Sequence, residues 1–481
     1  MTRSQPISLF QALVPLVILV AMLAVNVFYF KDASLDGSNQ FILLLGGAVA
    51  AIVGFTRKVS YERMMDAVAD NLKSTSSALL ILLMVGALSG TWLLSGVIPT
   101  MIYYGIQLLN PSIFLVVSVV VCALISVATG SSWTTSATVG IALIGIGNAM
   151  GIPMGMTAGA ILSGAYFGDK MSPLSDTTNL AAAMAGSELF THIRYMMLTT
   201  VPTLFITLVV FTVISFQIEP AAAVQTADLL NAITEVFTIT PWLFIIPVVV
   251  VILIVRKTPP LAALLIGTLL GALAALIAQP NLIAELSGST YWTFGSVYQT
   301  LLNAITVDLA IESSNSLLND LFTSGGMAGM LGTIWLVICA MVFGGVMEAI
   351  GALHKITETL LQLSKSVFGL FASTVGSCVA LNLTASDQYL AIVVPGKMFA
   401  KAYEQKGLAP ENLSRTIEDS GTVTSVLVPW NTCGAYHSSV LGVPVFDYFI
   451  YAVFNYVSPL MTLLFAAFAI KIRKLVSLPS A

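Results

Sequence analysis

The chain has 481 residues, of which 57% are hydrophobic and 9% charged, with 19 Lys+Arg against 23 Asp+Glu and a formal net charge of -4. A soluble globular chain carries about 25% charged residues, so this composition cannot clothe a core of this size in a solvated surface. Soluble enzymes, nucleic-acid binders and disordered proteins are excluded, and the mean hydropathy of +0.94 is that of a membrane protein.

A helix crosses the hydrocarbon with about 20 apolar residues. The first apolar run, Ser8 to Phe30, is too long for a signal-peptide core and lacks a small-residue cleavage site, so it reads as a retained span. Further ordinary spans are predicted near 40–55, 77–98, 113–128, 195–217, 241–255, 259–279, 328–350, 367–383 and 447–470. Two stretches, 129–186 and 384–440, are apolar enough for the membrane yet interrupted by Gly, Pro, Ser, Thr and charges. Such breaks are tolerated only where protein or a water-filled cavity satisfies the freed backbone. The four cysteines, Cys122, Cys339, Cys378 and Cys433, are far apart and form no C-x-x-C pair. Neither a disulfide framework nor a zinc site is suggested, and they read as small buried residues.

An offset of 255 residues aligns the two interrupted stretches without a gap, pairing Gly90 with Gly345, Gly96 with Gly351, Thr129 with Thr384, Ser131 with Ser386, Asp176 with Asn431 and Thr177 with Thr432. With the N-terminus inside and each broken region counted as two passes, seventeen of the 19 basic residues fall on the cytoplasmic side, Arg415 among them. Lys31 alone faces out, and Lys170 lies within a broken region. From Thr258 to His354 there is no basic residue, which suits a long external loop over about 280–326. Each half then has an odd number of passes, so the repeat is inverted, as in secondary transporters with discontinuous helices near the midplane. The fold class expected is an all-α polytopic membrane protein with two inverted-topology repeats carrying re-entrant hairpins or broken helices. Residues 1–217 form the first repeat, with a transport part at about 113–190. Residues 218–240 form an external connector, and 241–481 the second repeat, with a transport part at about 367–440.

The chemistry concentrates at the interruptions. The first contains Thr129-Gly130-Ser131-Ser132 and Gly168-Asp169-Lys170-Met171-Ser172-Pro173-Leu174-Ser175-Asp176-Thr177-Thr178-Asn179; the second contains Thr384-Ala385-Ser386-Asp387, Glu418-Asp419 and Pro429-Trp430-Asn431-Thr432. Unwound backbone beside Pro or Gly offers free carbonyls and side-chain oxygens to a hard cation. A carboxylate inside a membrane protein usually belongs to an ion pathway. Burial favours its protonated form and a cation its ionised form, so H+ and Na+ can compete for one group. Asp176 is the leading Na+ ligand on this reading, helped by Asp169. Ser131, Ser132, Ser175, Thr177, Thr178, Ser386, Asp387, Asn431 and Thr432 complete the candidate binding set.

Plainer roles stand beside these. Lys170 is the charge partner of Asp169, a pair that could equally well be structural. Glu348 could snorkel from a span end, Glu418 and Asp419 could begin an interfacial helix, His437 could be a satisfied hydrogen-bonding residue, and Trp133 and Trp430 could serve packing.

The run Gly164-Ala165-Tyr166-Phe167-Gly168-Asp169-Lys170-Met171-Ser172-Pro173-Leu174-Ser175-Asp176-Thr177-Thr178 closely resembles the signature of the NhaC family of Na+/H+ antiporters. The resemblance extends through Thr129–Ser132, Ser386-Asp387 and the Pro429–Thr432 break to nearly the whole chain. It implies a secondary transporter of a bacterial or archaeal inner membrane, in which a scaffold holds a mobile transport domain that moves as an elevator. Some family members exchange Na+ for H+, whereas others couple both ions to malate and lactate exchange. No Arg stands out at membrane depth to hold an organic anion, although helix N-termini and hydroxyls can also bind anions.

The function expected is therefore Na+ export in exchange for H+ by alternating access, with Na+/H+-coupled exchange of a small organic anion or amino acid as the alternative. No H-E-x-x-H and no G-x-x-x-x-G-K-[ST] is present, so neither an intramembrane metalloenzyme nor an ATP-driven pump is expected. The partners expected are the lipid bilayer, Na+ and H+, with no cofactor and no nucleic acid. Both termini are expected in the cytoplasm, and assembly as a homodimer is an open alternative.

Overall fold

The computed structural model describes residues 7–30, 37–217, 223–288 and 293–475. Lys31, placed outside above, and Arg3, one of the seventeen basic residues placed in the cytoplasm, lie outside them. The described chain is helical apart from its connections and one antiparallel pair of two-residue strands, Leu309–Ala310 with Thr323–Ser324. Eight of the described helices are long and apolar enough to cross a membrane: Leu9–Phe30, Ser38–Thr56, Tyr61–Leu94, Pro111–Thr129, Leu189–Ser215, Pro260–Ala278, Gly326–Ala349 and Val367–Thr384.

Four expected elements differ. The helix predicted to begin near residue 77 begins at Tyr61. Ser60 caps it by accepting from the Arg63 amide at 3.3 Å, and no Gly or Pro interrupts the polar stretch before Gly86. Hydropathy marks the apolar part of a helix, whereas its start is set by capping. The stretch read as connector and span over 218–255 holds two helical segments, Ala227–Val236 and Pro241–Val255, meeting at 87°. Thr240, which precedes a proline, is held extended (φ -140°, ψ 134°) as the Pro ring requires. The last predicted span, 447–470, is a short helix Val445–Tyr448 followed by a 15-residue helix Val453–Ala467. Between about 280 and 326 the chain is not bare loop but carries the helices Pro280–Leu286, Phe294–Thr306 and Ser316–Leu321 as well as the strand pair.

Helix ends recur along the chain. Leu94 and Ala349 end helices, and Gly96 and Gly351 follow with the same left-handed φ of 79°, 255 residues apart. Beyond the Leu363–Ser366 connection the register is one residue longer. Left-handed Gly130 corresponds to left-handed Ser386 (φ 73° and 59°), Gly151 to Gly407, and Gly186 to Gly442. The N-cap residues Ser131 and Ser175 then correspond to the N-caps Asp387 and Asn431, and Asp176 to Thr432. The ungapped 255-residue register, which set Asp176 against Asn431, misses this extra residue because caps rather than identities reveal it.

The helices Pro111–Thr129 and Met154–Met171 lie side by side. Gly164 permits the contact: a Cβ there would stand 2.2 Å from the Val119 carbonyl oxygen. Small residues let helix backbones approach in this way. The approach carries the end of Met154–Met171, and with it Asp169, to the break that follows Thr129.

Candidate functional site

The first half breaks twice at one place. After Gly130, Ser131 caps a new helical run by accepting from the Thr134 amide at 3.2 Å. That run continues as helix Ser132–Thr135, a π-helical turn Ser136–Gly140 and helix Ile141–Ala149. The second break, Ser172–Ser175, contains Pro173 and ends where Ser175 caps Asp176–Ala185. Asp169 lies between the two new N-termini. One carboxylate oxygen accepts from the Ser132 amide (3.1 Å) and hydroxyl (2.7 Å), and the other accepts from the Ser175 hydroxyl at 2.6 Å. Helix N-termini favour negative charge, so two such ends converge on a carboxylate only 5% exposed.

Ser175 Oγ lies 3.0 Å from Thr177 Oγ1, which in turn donates to Glu418 at 3.3 Å. The result is a continuous path of oxygens, Asp169–Ser175–Thr177–Glu418, joining the two halves. Each hydroxyl has one hydrogen and two lone pairs. It can therefore hold Asp169 and still present a lone pair to a cation. Thr178 turns inward instead, donating to the Lys170 carbonyl at 3.1 Å.

Lys170 does not pair with its neighbour Asp169. Its ammonium meets the carboxylate of Asp419 in the other half, both side chains being wholly buried, and also reaches the Ser458 hydroxyl at 2.9 Å. Thr199 donates to Asp419 at 2.8 Å and Thr462 donates to it as well. Adjacent residues on a helix point about 100° apart, so proximity in sequence did not make Asp169 and Lys170 partners. Asp176, the leading ligand of the sequence reading, is exposed and accepts a 2.7 Å bond from Tyr389. Met171 ends the helix that carries Asp169, so the seven-residue spacing does not place the two aspartates on one helical face.

The second half is built differently at its breaks. Asp387 caps Gln388–Gln405 through the Leu390 amide at 3.0 Å. Asn431 caps Thr432–Leu441 and bonds Asn382, whose amide donates to Gly421 O at 2.8 Å and Thr424 at 3.0 Å. The Thr432 amide donates to the Ser386 carbonyl at 3.0 Å, tying the two breaks together. Glu418 and Asp419 do not begin an interfacial helix. They follow Pro410–Ile417 in a π-helical turn and are buried completely.

Trp133 stacks on Tyr436 with ring centroids 3.9 Å apart, Trp430 donates to the Leu383 carbonyl at 2.9 Å, and His437 Nδ1 lies 2.9 Å from the Ser136 hydroxyl. Glu348 is exposed at the end of its helix. Arg415, counted above among cytoplasmic residues, is fully buried against the rings of Tyr195 and Phe465. Its position in the short polar helix Pro410–Ile417 concealed this from a count of basic residues.

Asp169, Asp176, Thr177, Ser131, Asp387 and Thr432 line one cavity of about 570 Å³. Sequence reasoning had not included Glu418, Tyr389 or the Asp419 pairing in the site. The consecutive acids Glu418-Asp419 in an apolar stretch were the available signal, but which acid faces Lys170 depends on the π-helical turn.

The family model for the Na+/H+ antiporter family matches residues 164–470. The chain is 36% identical over 426 residues to the Na(+)/H(+) antiporter NhaC of Alkalihalophilus pseudofirmus, covering 89% of each chain. It is 35% identical over 399 residues to the protein of the same name from Bacillus subtilis, covering 82% of this chain and 85% of that one. A malate-2H(+)/Na(+)-lactate antiporter of Bacillus subtilis is 36% identical over 444 residues, covering 92% and 90%.

Proposed function

Because the chain belongs to the Na+/H+ antiporter family, we propose that this multi-pass membrane protein is a secondary antiporter, exporting Na+ in exchange for H+ by alternating access. The observation that carries the reading is Asp169, a buried carboxylate held by hydroxyls at two helix N-termini and bordering the cavity. Na+ would be taken by Asp169 with lone pairs from Ser132, Ser175 and Thr177. Asp176, at the exposed mouth, would attract the ion rather than enclose it. A proton arriving at Asp169 cancels the charge that holds Na+, and departure of the proton restores it. Competition for one group is sufficient for exchange, provided the site opens to one side at a time.

The matching caps of the two halves support a repeat, its inversion resting on the odd number of passes in each half, and the buried Lys170–Asp419 link supports their transport parts, about 113–190 and 367–440, moving as one body in an elevator. Lys257 at the cavity rim, following Arg256, supports a cavity open to the cytoplasm under the positive-inside rule. The termini would then be cytoplasmic and the membrane the inner membrane of a bacterium or archaeon. The cavity is lined by aspartates with one lysine, which gives the organic-anion alternative no support, and a transporter of this design needs no enzymatic centre.

Everted vesicles containing the protein are expected to lose a preformed pH gradient on addition of Na+, and Asp169→Asn is expected to remove that response. A full response in Asp169→Asn, with the protein correctly inserted, would exclude Asp169 as the exchanging group.

A further inference from the structure

The cavity that borders Asp169 is far larger than a dehydrated Na+ requires. Its volume of about 570 Å³ lies in the range of small-molecule sites, which run from roughly 300 to 1,000 Å³. Its lining is chemically one-sided. Asp169, Asp176 and Asp387 contribute three carboxyl groups, and Lys257 is the one basic residue among the described lining. Three aromatic side chains, Trp133, Tyr389 and Tyr436, complete the wall.

The aromatic groups are fixed in place. Tyr436 stacks on Trp133 and donates to the Trp133 carbonyl at 3.1 Å. Tyr389 is held by its bond to Asp176. Aromatic faces beside carboxylates form the environment that recognises organic ammonium and guanidinium groups, through cation–π attraction and charge together. An organic anion would meet three like charges in the same space.

We propose that this cavity also binds and transports a compact organic cation, an ammonium or guanidinium compound, in competition with Na+. The proposal rests on reading the cavity as the transport cavity. The ammonium head would lie between Asp169 and Asp176, where Na+ approaches, with the remainder against Trp133, backed by the buried Tyr436, and the partly exposed Tyr389.

The test uses the full-length protein in proteoliposomes with choline and agmatine, cations that do not carry protons across the bilayer as weak amines do. Both are expected to inhibit 22Na+ uptake competitively and to be taken up themselves in exchange for internal Na+, whereas malate does neither. Trp133→Leu is expected to raise the half-inhibiting choline concentration about tenfold with Na+/H+ exchange kept. Trp133→Phe, which retains a ring in case the leucine variant is poorly folded, should remain near wild type. Robust 22Na+/H+ exchange that neither cation inhibits would overturn the proposal while leaving the antiport reading intact. So would competition by malate, or choline inhibition unchanged in Trp133→Leu. Uptake of choline or agmatine without any Na+/H+ exchange would instead overturn the antiport reading and retain this one.

Discussion

The two broken regions share a plan of caps and differ in what fills them. In the first half the gap between new helix N-termini is filled by a carboxylate, Asp169, bonded by Ser132 and Ser175. In the second half the position equivalent to Asp169 is Ser425, whose hydroxyl donates to Gln388 at 3.2 Å; beside it Asn431 bonds Asn382, Asn382 bonds Gly421 and Thr424, and Asp387 caps its own helix. Amides have both donors and acceptors, so they can satisfy one another. A carboxylate only accepts, and donors must be brought to it. The first half therefore holds a carboxylate whose donors can also serve an ion, whereas the second half combines a self-satisfied amide cluster with two acids at the edge of the site, Asp387 and Glu418.

The strongest way to break this contrast is to neutralise each carboxylate in turn. Asp169→Asn is expected to reduce Na+-dependent proton movement in everted vesicles by on the order of 100-fold, since removing a buried hydrogen-bonded charge costs several kcal/mol. Asp387→Asn keeps a good helix cap and is expected to reduce it by less than about tenfold. Equal losses in the two variants would mean that the halves share the ion equally.

A second experiment sharpens how the halves are joined. Lys170→Met leaves Asp419 buried without its cation, and such an uncompensated charge costs about 3–5 kcal/mol. A large fall in thermal stability in detergent is expected. The double variant Lys170→Met with Asp419→Leu should recover most of that stability, because replacing both members of a buried pair with apolar groups is often neutral. Thr199 would still have an acceptor, the Met196 carbonyl at 3.1 Å. If the double variant is stable but exchanges no Na+, the pair serves the moving state rather than the resting fold.

How far the sequence revealed this arrangement follows from the kind of signal each feature leaves. Spans such as Pro111–Thr129 and Val367–Thr384 were legible almost to the residue, because an apolar run bounded by polar or Gly residues determines them. The two interruptions were legible for the same reason, and Asp169, next to Gly168, and Ser132 and Ser175, each two residues from Gly130 or Pro173, stood out as oxygen-bearing residues at them. The partner of Lys170 was not. It stands 249 positions away in a π-helical turn, and no local pattern specifies which of two consecutive acids such a turn directs inward. The exposure of Asp176 was also hidden, because Pro173 could be seen to break the helix but not to send its next turn toward the cavity mouth. The one-residue slip between the halves escaped for a related reason: side chains at caps differ between halves, Ser131 against Asp387, while the conformation they impose is the same.

The amide cluster of the second half has its own test. Asn431→Ala removes a helix cap and leaves polar atoms of Asn382 with fewer partners, at a cost of about 1–3 kcal/mol. A lowered thermal midpoint is expected, with Na+ affinity in the surviving folded protein nearly unchanged. A large loss of Na+ affinity without loss of stability would place Asn431 in the ion's oxygen shell.

The smallest expected effect lies at the mouth, where the halves meet through Tyr389 and Asp176. Tyr389→Phe removes one 2.7 Å bond to an exposed carboxylate. Water can replace that donor, so the change is worth about 0.5–1.5 kcal/mol and should appear as a several-fold change at most in the Na+ concentration for half-maximal exchange. The maximal rate should hold, because Asp169 and its hydroxyls are untouched. Were the maximal rate to collapse while the half-maximal concentration stayed constant, the Tyr389–Asp176 bond would be a gate between the two halves, and the contrast between the carboxylate-holding break and the amide-filled one would have to be redrawn around that contact.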